Sequence, residues 1–158
     1  VWLEEGGAEF AGVWYSSLNG WVNYNEYWIN YLDEARSVIS DAASRGDIVS
    51  LRDYETRYSI QRVESSENPT GTSREFAYAY SGGGLAHIYL IRKGFTDLNN
   101  SMIEYYRNIA ELEREHIGEG YIYAFEEYFG MPLDSFYSEF DDFMLKTREE
   151  QLSILGLE

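Results

Sequence analysis

Apolar residues recur at helical spacing through most of this chain, and nowhere more regularly than between Tyr24 and Ala42. Tyr24, Trp28, Tyr31, Leu32, Ala35, Val38, Ile39 and Ala42 return every three or four residues. That is the 3.6-residue period of a helix with one buried face. Glu26, Asp33, Glu34, Arg36 and Asp41 fill the opposite face, and Gly46 supplies a stop. The two-residue alternation of a strand is required nowhere, although 47–51 and 58–63 can be read as extended. Hence the pattern predicts an all-α fold, a bundle of about six to seven helices forming a single helical domain over 1–158.

The remaining helices are marked by their caps and stops. An opening helix is expected over 2–16, with a turn at Asn19-Gly20 and the second helix over 25–44. Ser50-Leu51-Arg52-Asp53 reads as a capping box opening a short helix that ends near Tyr58. The polar stretch 64–72, with Pro69 and Gly71, is the clearest loop, too short for a domain linker. Thr72-Ser73-Arg74-Glu75 is a second capping box and starts a long helix to Lys93, stopped by Gly94. That helix carries Gly82, Gly83 and Gly84 in a row, each costing roughly 1 kcal/mol against alanine. Three together either break the helix or serve very close packing against a neighbour. Leu85, Ile88, Tyr89 and Ile91 beyond them favour continuation. Further helices are expected from Asp97 through Ile109, over 121–129 and from Pro132 through Met144, with a turn or two at 149–157.

Charge excludes several functions. The 158 residues carry 28 acidic against 12 basic side chains, a net charge of -16. Such a surface repels phosphate backbones, which speaks against nucleic acid, and it opposes anionic membranes. It suits a soluble protein, cationic partners or a saline setting. The absence of cysteine removes disulfides, thiol chemistry and Cys-based metal sites. No apolar run reaches the roughly 20 residues that span a bilayer. Val1 opens the chain inside a helix-forming pattern, so the compartment is left open.

The most function-laden run is Trp2-Leu3-Glu4-Glu5-Gly6-Gly7-Ala8-Glu9-Phe10. As a helix it places Glu5 and Glu9 one turn apart on one face. Two acids so spaced are commonly a solvated face. Here small residues surround them, and Leu3, Phe10, Val13 and Trp14 make an apolar stripe on another side. The run resembles the third-ligand segment of gluzincin zinc peptidases, the thermolysin-like and aminopeptidase-N-like (peptidase MA-like) enzymes. Their pattern W-x-x-E-G-x-A-x-[YF] is filled by Trp2, Glu5, Gly6, Ala8 and Phe10. Tyr80-Ser81-Gly82-Gly83-Gly84-Leu85 through Gly94 resembles the family's downstream helix. Ala124-Phe125 through Phe129-Gly130-Met131-Pro132-Leu133, with Phe136 and Phe140, resembles its closing segment.

The resemblance implies that Glu5 is equivalent to the zinc-ligand glutamate, Glu9 to its companion, and Tyr80 to the tyrosine that stabilises the oxyanion. It also marks a departure. The family's H-E-x-x-H, which supplies two zinc-binding histidines and the general base, is absent from this sequence. The two histidines present, His87 and His116, lie outside any such motif. The expectation is therefore no catalytic residue and no metal or cofactor in this chain as given. Zinc enters only in the alternative that the chain is the C-terminal part of an active metallopeptidase.

His87 follows Tyr80 by two turns, so Glu5, Glu9, Tyr80 and His87 are the expected lining of a pocket. The simpler reading of His87 is a hydrogen-bonded histidine beside a core, and His116 reads as surface. The 15 tyrosines and four tryptophans leave open a small-molecule site with aromatic walls, or simply core and interface. An opening helix without its family partner would leave Trp2, Leu3, Phe10 and Trp14 uncovered, which predicts a homodimer through that helix.

Overall fold

A computed structural model describes residues 1–55, 72–94 and 102–158, and of 72–76 the backbone alone. Seven α-helices and one 3-10 turn make up the described residues, with no strand. They are α1 (Trp2–Leu18), α2 (Tyr24–Ser44), the 3-10 turn (Leu51–Tyr54), α3 (Thr72–Arg92), α4 (Ile103–Glu115), α5 (Gly120–Phe129), α6 (Leu133–Met144) and α7 (Arg148–Leu155). The expected loop at 64–71, the extended reading of 58–63, the short helix's end near Tyr58 and the helix start at Asp97 lie outside the described residues.

α3 is the central post. Every residue from Ser81 to Leu90 is buried, the mark of a helix covered on all sides. α1 and α2 pack along it, and the 3-10 turn and α7 also meet it. α4 pairs with α5, and α5 leads through Gly130, in the left-handed conformation, to α6. The three glycines do not break α3. A Cβ at Gly83 would stand 2.8 Å from the Trp2 carbonyl, and one at Gly84 would stand 2.5 Å from the Trp28 ring. A Cβ at Gly6 would lie 2.6 Å from the Gly83 Cα. Gly6 and Gly83 therefore let α1 and α3 cross almost backbone to backbone, while Gly84 makes room for the Trp28 ring of α2, which offsets their poor helix propensity.

That crossing corrects one expectation. Trp2, Leu3 and Phe10 do not wait for a second copy; all three are buried within the chain, Trp2 against α6 and Phe10 between α2 and α3. Trp2 is wholly buried, stacks on Phe136 at 5.7 Å and donates its indole N–H to the Tyr137 hydroxyl at 3.0 Å. Phe10 sits between Trp28 and His87 at 6.2 and 6.1 Å. Of the four residues expected at an interface, Trp14 alone stays exposed, at 40%.

The ends are capped locally. Asn23 caps α2, and Ser50 with Asp53 forms the expected capping box. Pro132 is the N-cap of α6, with Leu133 its first helical residue; its ψ of 139° is extended. Thr147 and Glu150 form a further capping box that starts α7. Buried Gln151 donates to the carbonyls of Phe143 and Met144, closing the end of α6. Arg148 grips Asp33 with two bonds of 2.6 and 2.9 Å, tying α7 to α2. Among the described residues no helix is long and apolar enough to cross a membrane.

Candidate functional site

Glu5 and Glu9 share one flank of α1, as their spacing requires. Both are half-buried, because α2 and α3 rise beside them. Tyr27 and Tyr31, one turn apart on α2, both donate their hydroxyls to Glu9; the Tyr31 bond measures 2.8 Å. Their rings stack at 4.7 Å, and the two oxygens lie 2.8 Å apart. Burial and the bonds to Glu9 push the Tyr27 hydroxyl well above its ordinary range. Tyr31 is raised too, burial being the main cause.

Tyr80, from α3, faces the same flank. Its hydroxyl is raised by burial first, then by the charge of Glu5 and a hydrogen bond to it, with Glu9 adding its charge. The structure thus gathers Glu5, Glu9 and Tyr80 into one acid–tyrosine cluster.

His87 is not part of it. α3 carries it past the Gly6–Gly83 crossing, to where Gly7 leaves room for it. A Cβ on Gly7 would fall 3.1 Å from His87 Nε2 and 2.8 Å from the Tyr106 ring. His87 is wholly buried among Trp2, Phe10 and Tyr106. Its Nδ1 lies 2.7 Å from the Gly83 carbonyl, which can only accept, so Nδ1 carries the proton. Burial lowers its pKa to about 4 and holds the ring neutral near pH 7. Nε2 is then bare and accepts from the Tyr106 hydroxyl at 2.8 Å. That same hydroxyl reaches the Leu3 carbonyl, so one proton serves two acceptors. The pocket expected of four residues therefore divides at the helix crossing, with three on one side and His87 on the other.

Sequence reasoning missed Tyr27, Tyr31 and Tyr106 as partners of these groups. Tyr31 falls in the helical stripe of α2 and reads as core; Tyr27 beside Trp28 carries no separate signal. Only the small residues at Gly6 and Gly7 hint that something large must approach α1. His116 is half-exposed and stacks on Tyr123 at 3.8 Å, as a surface residue does.

Among the described residues no group of three His, Cys, Asp or Glu side chains is placed to hold a metal ion. Structural and catalytic zinc sites use three or four protein ligands. Glu5 can offer one carboxylate, while Glu9 is held by two tyrosines and His87 is enclosed elsewhere. The cluster in this chain therefore does not fit zinc by itself. Comparison with known proteins finds no matching family model, no matching curated protein and no matching solved structure.

Proposed function

We propose that this chain is a non-catalytic helical module with the architecture of a gluzincin C-terminal subdomain, whose Glu5–Glu9–Tyr80 wall binds a ligand or a partner protein. The observation that carries the proposal is the pairing of Glu5 with Tyr80. These are the two residues that the resemblance makes equivalent to the zinc-ligand glutamate and the oxyanion-stabilising tyrosine, and they stand 75 positions apart in the sequence. Glu9, held by Tyr27 and Tyr31, supports the same reading, since acids beside a metal-ligand position serve to orient what lies there. Without H-E-x-x-H the chain has neither the two histidines nor the general base of the family's reaction. Self-association through α1 belongs to the same proposal.

The Glu5–Tyr80 pairing also favours a second reading. In it the chain is the C-terminal part of an active zinc metallopeptidase, and an H-E-x-x-H helix elsewhere in the polypeptide meets Glu5. Reading the coding sequence in frame upstream of Val1 separates the two. An H-E-x-x-H ahead of Glu5 establishes the enzyme and overturns the non-catalytic reading. A stop codon there leaves the module on its own.

A further inference from the structure

From Phe10 to Asn25 the sequence has no Asp, Glu, Lys or Arg for 16 residues, although these make up 25% of the chain. A second such run, 77–91, is explained by burial, since it forms most of α3. The first run is not buried. Trp14, Tyr15, Leu18 and Trp21 are 40 to 70% exposed within it. Two chains of charge -16 meet with least repulsion where each presents an uncharged surface.

Ala8, Ala11, Tyr15 and Leu18 follow one another at intervals of three and four residues, so they share one face of α1. All four are exposed. Glu5 and Glu9 lie on another flank and take no part. The shared face changes character along its length. At Tyr15 and Leu18 it is a ridge of large side chains. At Ala8 and Ala11 it is one wall of a cleft of about 380 Å³, whose opposite wall is Met102 and Ile103 at the start of α4. Phe10 adds to the apolar lining. Glu4, the one charged side chain in that lining, stands a turn beyond Ala8.

We propose that this cleft seats the Tyr15–Leu18 ridge of a second copy of the chain. The inference rests on the self-association proposed above and gives it a geometry. Ala8 and Leu18 are centred on position 13, and so are Ala11 and Tyr15. Two α1 helices laid antiparallel about that position set Leu18 of each copy against Ala8 of the other. Tyr15 then meets Ala11 in the same way. Each copy offers one ridge and receives one, so the contact is two-fold and closes at two chains. A parallel pairing would set ridge against ridge and fill neither cleft.

The chain has no cysteine, so an introduced pair reads this contact without competition. Ala8→Cys and Leu18→Cys both alter exposed sites, which should leave the fold intact. The two full-length variants are prepared separately, mixed in about 0.5 M NaCl to screen the repulsion, and oxidised. In the antiparallel pair, position 8 of one copy faces position 18 of the other, within reach of a disulfide. Position 8 lies about 15 Å along the axis from its own counterpart, and so does position 18, at about 1.5 Å per residue. The mixture is therefore expected to yield at least about tenfold more cross-linked dimer than either variant alone. Equal cross-linking by each variant alone would overturn the antiparallel seat. A mixture that does not cross-link, while light scattering shows the native chain dimeric, would overturn the seat and leave self-association standing. A native chain that is monomeric at this salt overturns both.

Discussion

At His87 burial and hydrogen bonding pull in opposite directions. Burial in an apolar shell opposes the imidazolium, while the Gly83 carbonyl, accepting from the ring, favours it. Burial wins, and the pKa falls from 6.5 to about 4. The sign of the linkage follows. The unfolded chain takes up a proton at this residue near pH 6.5, and the folded chain resists until about pH 4. The contribution to stability is thus complete above pH 6.5 and lost as the pH falls through that window. It amounts to about 3 kcal/mol, at roughly 1.4 kcal/mol per unit. Urea unfolding at pH 7 and pH 4.5 should show this loss in the native chain and not in His87→Gln. The difference between the two proteins cancels the general effect of neutralising carboxylates. Equal losses in both would remove His87 from the acid sensitivity.

At the scale of elements, the crossing of α1 and α3 decides what meets what. Gly6 and Gly83 touch through their backbones, which cannot swing aside as a side chain can. Gly6→Ala should therefore cost at least about 2 kcal/mol in denaturant unfolding. Gly12→Ala lies in the same helix with nothing within 4 Å of its new methyl. It should instead stabilise by about 0.5–1 kcal/mol, the ordinary gain of alanine over glycine. Two identical substitutions of opposite sign would locate the crossing in solution; a mild effect at Gly6 would place it elsewhere. The helices themselves were legible from residue spacing, because the apolar period of α2 or α6 is a local property. The glycine run was ambiguous because the meaning of Gly83 depends on Gly6, 77 positions away along the chain. For the same reason the candidate pocket was legible in part. Glu5 and Glu9 follow from α1 alone, and Tyr80 from the resemblance. Period alone put His87 on the face of Tyr80, but it could not show that α1 passes between their surroundings. Nor could it assign Tyr27 and Tyr31 to Glu9, since a tyrosine at core spacing does not reveal where its hydroxyl ends.

For the whole molecule, charge and exposed apolar surface compete over self-association. The opening stretch reads from sequence as an uncovered stripe, and folding hides most of it within the chain, Trp2 against α6 and Phe10 between α2 and α3. What remains outside is the far end of α1 and the turn after it. Trp14, Tyr15, Leu18 and Trp21 are 40 to 70% exposed there, and Tyr15 and Trp21 meet edge to face at 6.1 Å. A homodimer through α1 must be built on these residues and not on Trp2, Leu3 or Phe10. It must also bring together two chains of charge -16, whose repulsion weakens as salt shortens its range. At about 0.5 M NaCl that range is about 4 Å, against about 10 Å at 0.1 M. Light scattering should give a dimer mass at the higher salt and a rising monomer share as salt is removed. The double substitution Leu18→Glu, Trp21→Glu, at two sites each 70% exposed, should give the monomer mass throughout, with stability changed by no more than about 0.5 kcal/mol per site. Trp2→Ala should do the opposite, costing about 3–5 kcal/mol of stability and leaving the mass of the folded fraction unaltered. A native chain that stays monomeric at high salt overturns the dimer. A monomer produced by Trp2→Ala alone would mean that the buried start of α1, and not its exposed end, carries the contact.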